Sequence, residues 1–263
     1  MIFQVAAYSH VGKVRSKNDD FWGVGSWVEQ NGAFSLEFET SSRFFSDFGL
    51  LCAVADGMGG YEGGALAAKT VLDTLSALFY ARKHNEMNIA EFASQLESDL
   101  SQTQRVLQAT LTREGLTEAG TTLAGVAFLA PDIALVFHCG DSRVLRAGGG
   151  YVRALTLDHT PLSAQIAAGD LDEESAARSP LASKISRSLG LAGDSRVEIG
   201  APLGFASGDT FLLCSDGFHG LGRGLTLPQL RSGAGRCDVK RWVEEAVECD
   251  GRDNATLVRV GIV

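Results

Sequence analysis

Aspartate recurs where short apolar runs stop or start. LLCAVAD ends in Asp56, followed by Gly57; ALVFHCGD ends in Asp141; TFLLCSD ends in Asp216, followed by Gly217. Two further runs begin with acid: Asp19-Asp20 precedes FWGVGSW, and Asp253 precedes NATLVRV. If these runs are antiparallel strands, the end of one lies beside the start of its neighbour, and the acids share one rim. Crowded carboxylates repel one another unless something neutralises them. Hard divalent cations are suited to that, because they take oxygen ligands and keep several waters. Two such ions about 4 Å apart make a site for hydrolysis of phosphate esters. Arg15 lies five residues before Asp20, and a guanidinium can hold two phosphate oxygens at once.

Each residue alone has a plainer reading. Asp-Gly after a strand is ordinary turn chemistry. Asp209, at the opposite end of its run, is such a turn residue, and Arg15 by itself reads as an exposed loop arginine. The joint pattern carries the inference. Other chemistries fail on spacing. Gly57 to Glu62 misses the dinucleotide fingerprint at its last position. Gly63 to Thr70 lacks a required P-loop glycine at Ala68. Gly140 to Val144 lacks the last glycine of a nucleophile elbow. No cysteine is followed by arginine six positions later, and the histidines lack zinc spacing. His159, in Asp158-His159-Thr160, is expected to cap the following helix.

The chain has 263 residues, 45% hydrophobic and 21% charged, which is ordinary globular composition. No linker or internal repeat interrupts residues 1–263, so a single domain is expected. Its 23 basic and 32 acidic residues leave a net charge of −9, so no phosphate-neutralising surface for nucleic acid is expected. The apolar runs are shorter than the roughly 18 residues of a membrane span. The start, MIFQVAAYSH, lacks a basic region and a long apolar stretch. A cytoplasmic protein with reduced thiols is expected, its five cysteines showing no CxxC pair.

Long helices are predicted over Gly63–His84 and Asn88–Glu114, and shorter ones over Pro161–Ala168, Asp172–Arg178, Pro228–Arg231 and Val239–Cys249. Strands are predicted over Phe3–Tyr8, Phe21–Trp27, Leu50–Ala55, Thr122–Leu129, Ile133–Cys139, Val144–Ala147, Val152–Leu155, Ile185–Ser188, Val197–Gly200, Thr210–Cys214 and Thr256–Ile262. The aromatic-rich segment Val28–Ser46 reads as an extended hairpin. Many strands joined by short turns, with two clustered long helices, imply α+β layers rather than a parallel βαβ fold.

The ordered set GKVRSKNDD, AVADGMGG, EAGTTLAG, CGDSR, LDHTPL, SRSLG, CSDG and RDNATL resembles the metal-dependent protein phosphatase family, type 2C. The resemblance runs from about Tyr8 to Val260. It implies a four-layer αββα sandwich, two antiparallel sheets face to face with a helix pair on each outer side. It implies two Mn²⁺ or Mg²⁺ ions at one end. By motif, Asp56 would bridge both ions, Asp216 and Asp253 would bind one, and the Gly57 carbonyl with Asp19 the other. Asp20 would orient metal-bound waters, Arg15 would hold the substrate phosphate, and Asp141 with Asp216 would support a third, weaker ion.

Two departures stand out. Asp19 occupies a position where members usually have glutamate, and Met58 stands where animal members often have a histidine proposed as general acid. The leaving-group proton is then expected from water. The implied activity is hydrolysis of phosphoserine and phosphothreonine in proteins by a metal-bridging hydroxide, with Pro161–Ser183 as a flap beside the site. The implied partners are phosphoproteins and a Ser/Thr kinase or its targets, some members acting in type VI secretion clusters. A monomer is expected. The alternatives weighed are a non-catalytic binding module that kept the fold and a phosphatase for small esters.

Overall fold

The computed structural model describes residues 1–59, 63–172, 175, 179, 181, 184–219 and 239–263. One sheet contains, in spatial order, β10 (Tyr151–Ala154), β9 (Arg143–Gly148), β13 (Thr210–Cys214), β14 (Ala255–Ile262), β1 (Ile2–His10) and β4 (Gly32–Glu39). The other runs β11 (Glu198–Ile199), β8 (Ile133–Cys139), β7 (Leu123–Leu129), β5 (Leu50–Met58), β2 (Asp20–Val24) and β3 (Trp27–Glu29). Two-residue strands β12 (Leu203–Gly204) and β6 (Gly120–Thr121) pair with β8 and β5. All these ladders are antiparallel.

The sheets face each other across an apolar layer of Phe3, Val5, Trp22, Val24, Phe128, Phe211 and Val258. On the outer side of the second sheet lie α2 (Gly63–Tyr80) and α3 (Ile89–Arg113). Phe92, Leu96, Leu100, Leu107 and Leu111 recur at helical spacing, so one face of α3 is apolar and buried. Asn88 and Glu91 close a capping box at its start. On the outer side of the first sheet, α6 (Val239–Cys249) packs Trp242, Val243 and Val247 against Leu212, Cys214 and Leu257. The short helices α1 (Arg43–Phe48), α4 (Ser163–Ala168) and α5 (Asp216–His219) complete the described set. The expected sandwich is therefore present, with a helix pair on one face and α6 on the other. The helix expected over Pro228–Arg231 lies outside the described residues, as do Cys237 and most of the one expected over Asp172–Arg178. Among the described residues no helix is long and apolar enough to cross a membrane.

Three expectations are corrected. Phe21–Trp27 is not one strand: a turn at Gly25–Ser26 folds β3 back onto β2. Val28–Ser46 is not a hairpin. β3 stays in the second sheet, whereas β4 crosses to the edge of the first and pairs with β1. The cause is the alternation of Phe34, Leu36 and Phe38, which sends three apolar side chains into the layer between the sheets. Ile185–Ser188 forms no strand. Only isolated bridges join Thr121 to Leu189 and Arg187 to Asp194, and Arg187 is held instead by ion pairs to Asp194 and Glu198.

Candidate active site

Ladder register gathers the aspartates. Asp20 starts β2 directly opposite Asp56 near the end of β5. Cys214 is opposite both Leu257 and Arg143, so the chain beyond β13 carries Asp216 past the entry to β14, where Asp253 sits, and past the entry to β9, where Asp141 sits. Gly140-Asp141-Ser142 is the short link by which the chain leaves β8 in one sheet for β9 in the other. The antiparallel argument made from strand ends thus describes the actual rim, and Asp209 lies at the far end of β13, paired with Arg146 at 2.6 Å.

The glycines after Asp56 and Asp216 are not turn residues. Gly57 belongs to β5, and a Cβ on it would lie 2.3 Å from the Gly64 carbonyl oxygen in the first turn of α2. Gly217 belongs to α5, and its Cβ would lie 2.0 Å from the Asn254 carbonyl oxygen. Each is glycine because another backbone passes against it, which brings the α2 N-terminus and the β14 entry up to the rim. Asn254 then staples the loop that carries Arg15. Its side chain accepts from the Asp19 backbone N–H at 2.7 Å and donates to the Val11 and Lys17 carbonyls at 2.8 and 2.9 Å.

Burial pushes the Asp19, Asp20, Asp56, Asp141 and Asp216 carboxyls above their ordinary value. Asp20 and Asp141 reach about 7. Asp56 lies well above the carboxylate range, held there by burial and then by the neighbouring charges of Asp20, Asp216 and Asp141. Asp216 is raised by burial and then by the charge of Asp253. Arg15 places its guanidinium 2.7 Å from Asp253 and within range of Asp56 and Asp216, while Lys17 acts on Asp19 and Arg143 on Asp141. Oδ1 of Asp19, of Asp20 and of Asp216 are buried with no hydrogen-bond partner among the described residues. Orphaned carboxylate oxygens converging on one rim are a donor set that fits hard divalent cations.

His159 caps no helix. The residue before α4 is Leu162, which makes no side-chain cap. The buried His159 ring stacks on His138 at 4.4 Å, accepts the Gly140 N–H on Nδ1 at 3.1 Å, and meets Glu198 and Arg187 at Nε2. His138, His159 and Glu198 bring potential ligand atoms within 4.8 Å of one another. Nδ1 of His159 is already an acceptor and a guanidinium stands 3.1 Å from Nε2, so this cluster braces the link to Asp141 rather than offering a cation site. Asp158 serves the same link, holding Arg143 by two bonds of 2.8 and 2.7 Å. Thr122 supports the rim directly, its Oγ1 accepting the Asp56 backbone N–H at 3.0 Å. Thr122, Asn254 and His159 were not singled out for these roles in the sequence. Asn254 directly follows Asp253 in RDNATL, whereas Thr122 in EAGTTLAG and His159 in LDHTPL stand in motifs that hold no rim aspartate.

A two-sheet sandwich with a carboxylate rim at one end and an arginine over it defines a class of cation-dependent hydrolases. The family model for protein phosphatase 2C matches residues 40–255, and the chain belongs to that family. It is 26% identical over 258 residues to the serine/threonine phosphatase stp of Listeria monocytogenes, covering 95% of this chain and 92% of that one. The fold is similar to the PPM Ser-Thr phosphatase MsPP of Mycobacterium smegmatis in complex with cacodylate, at TM-score 0.73 and 26% identity over 98% of each chain. It is also similar to the catalytic domain of the phosphatase PstP in complex with two manganese ions, at TM-score 0.74 and 24% identity over all of both chains.

Proposed function

We propose that the chain acts as one metal-dependent catalytic domain that removes phosphate from phosphoserine and phosphothreonine in proteins. The observation that carries the reading is the rim itself, with its orphaned oxygens on Asp19, Asp20 and Asp216 around Asp56 and with Arg15 alongside. Asp56, Asp216, Asp253, Asp19 and the Gly57 carbonyl would hold two Mn²⁺ or Mg²⁺ ions, and Asp141 with Asp216 a third. Bound ions of this kind supply Lewis acidity toward phosphoryl oxygens and a nucleophile from water at neutral pH. Arg15 holds the phosphate, its half-exposed guanidinium reaching the rim from the solvent side. Met58 has no proton to give, and His159 is committed to Gly140, Glu198 and Arg187, so the leaving alkoxide takes its proton from solvent. A Ser/Thr kinase or its targets as partners, a cytoplasmic location and a monomeric state complete the reading.

Hydrolysis of a phosphothreonine peptide is expected to require added Mn²⁺ or Mg²⁺, to stop with chelator and to survive thiol alkylation. The buried Cys52, Cys139 and Cys214 thiols are all pushed up to about 12 or beyond by burial, which removes them as nucleophiles. Full activity in excess EDTA, with elemental analysis showing a metal-free protein, would falsify the reading. In a calorimetric Mn²⁺ titration, Asp141→Ala should keep two tight ions and lose the weaker third. Phosphopeptide kinetics set against p-nitrophenyl phosphate kinetics separate a protein substrate from a small ester.

Arg15→Ala is expected to lower kcat/KM for the peptide by about one to two decades, since a hydrogen bond to a charged group contributes roughly 1.5–3 kcal/mol. Its melting temperature should barely move, because the Arg15–Asp253 pair is exposed and such pairs contribute roughly 0–1 kcal/mol. An unchanged kcat/KM removes Arg15 from the site.

A further inference from the structure

Asp20 is fully buried, and both donors to its Oδ2 are hydroxyls: Ser215 Oγ at 2.6 Å and Thr256 Oγ1 at 2.7 Å. Behind Thr256 stands Ser9, Oγ to Oγ1 2.6 Å, and behind Ser9 stands Asn18, whose Nδ2 is 2.8 Å from Ser9 Oγ. All four supporting residues are buried.

The proton positions in this row follow from its ends. Asn18 Nδ2 lies 2.8 Å from the Gln30 carbonyl, which only accepts, and Asn18 Oδ1 lies 3.2 Å from the Asp20 backbone N–H, which only donates. The amide orientation is thereby fixed, and its second N–H points to Ser9. At the other end an ionised Asp20 only accepts, so the single Thr256 hydroxyl proton goes to Oδ2. Ser9 must then donate to Thr256 while accepting from Asn18. The row runs one way: Asn18 N–H to Ser9 O–H to Thr256 O–H to the Asp20 carboxylate. Aligned donors polarise one another and strengthen each bond in the row.

The geometry points to a function for this row. We infer that Asn18, Ser9 and Thr256, with Ser215, are positioning residues that saturate Oδ2 of Asp20 and reserve Oδ1 for the rim. Oδ1 is the buried oxygen of Asp20 without a partner among the described residues. The outer brace is the corner at Gln30–Asn31, where the chain leaves β3 in one sheet for β4 in the other. Gln30 donates to the Asn18 carbonyl and accepts from its side chain, and Asn31 Oδ1 lies 3.4 Å from the same amide. The aromatic segment that crosses between the sheets thus reaches Asp20 through Asn18. The inference rests on the metal-dependent reading of the rim.

Thr256→Val removes the hydroxyl at nearly constant shape; Thr256→Ser keeps it; Ser9→Ala breaks the row without touching Asp20. Each is compared with wild type by kcat and KM on p-nitrophenyl phosphate in saturating Mn²⁺, by calorimetric Mn²⁺ titration, and by melting in EDTA. Thr256→Val is expected to lower kcat about tenfold to a hundredfold with KM within about twofold. It should also weaken Mn²⁺ binding by about threefold or more. Ser9→Ala should reproduce both changes at about a third of the size on a logarithmic scale, and Thr256→Ser should recover kcat to within about threefold of wild type. Thr256→Ser as impaired as Thr256→Val would assign the effect to packing and overturn the inference. So would folded Thr256→Val and Ser9→Ala with wild-type kcat and Mn²⁺ affinity. A wild type that binds Mn²⁺ without cleaving phosphoesters, with binding weakened in the variants, sinks the phosphatase reading and keeps the row. A wild type that binds no Mn²⁺ overturns both.

Discussion

In EDTA at pH 8, Asp216→Asn is expected to melt several degrees above wild type, and in millimolar Mn²⁺ the order is expected to reverse. Without metal, Asp216 is a buried carboxylate, and its ionisation is opposed first by burial and then by the charge of Asp253. Asparagine removes one charge and nearly keeps the shape. A gain of 1 kcal/mol raises the melting temperature of a chain this size by about 2–4 °C. With metal, wild type gains linkage free energy of about 2.7 kcal/mol when the ion stands at a hundred times its dissociation constant. Asparagine cannot supply the anionic ligand and forfeits most of that gain. Catalysis should fall with it, to below about a thousandth of wild type, because the same carboxylate that destabilises the empty rim holds the ion. Strain stored at one place and relieved by a ligand is expected of a site and not of a turn. If Asp216 were a turn residue, the substitution would move both melting temperatures alike, and differential scanning fluorimetry in the two buffers would show no crossing.

The rim was legible in the sequence because its causes are local. An apolar run of five to seven residues that stops at aspartate marks both a strand and its end, and Ile133–Cys139 and Thr210–Cys214 are strands over those same bounds. Val239–Cys249 was equally readable, since its apolar spacing is helical and nothing distant overrides it. What stayed hidden depends on partners far along the chain. Gly57 and Gly217 looked like turn glycines until Gly64 and Asn254 were seen to pass against them. Phe34, Leu36 and Phe38 alternate as any strand would, but that β4 pairs with β1 rather than β3 is decided by which apolar layer lies open to it. His159 sits where a cap would sit. Its acceptor bond to Gly140 exists only because β8 ends beside it.

The stabilisation by Mn²⁺ is expected to grow with pH between 6 and 8. Asp20 and Asp141 are held at about 7 when folded, against an ordinary value of 3.8, and Asp56 too is held well above that value. For a carboxyl raised in the folded state, the folded chain keeps a proton that the unfolded chain has released. Its contribution is therefore full below about pH 4 and is lost as pH rises through 7. For one group moved from 3.8 to about 7 the loss is on the order of a few kcal/mol. The metal-free protein should thus lose several degrees from the rim on going to pH 8. Two histidines act the other way. Burial lowers His84 and His159, so they add stability as pH rises through their ordinary value of 6.5. Neither is a rim carboxylate, and both are expected to contribute about equally with and without metal. The difference between melting temperatures in Mn²⁺ and in EDTA cancels them and isolates the aspartates. At pH 6 the ions must displace protons from Asp20, Asp56 and Asp141, and the difference is small; at pH 8 the carboxylates are open to metal, and it is large. Asp141→Asn should flatten the profile, since one displaced proton is removed. A difference that stays constant from pH 6 to 8 would mean that these carboxyls are ionised throughout, and that burial does not hold the empty rim in its protonated form.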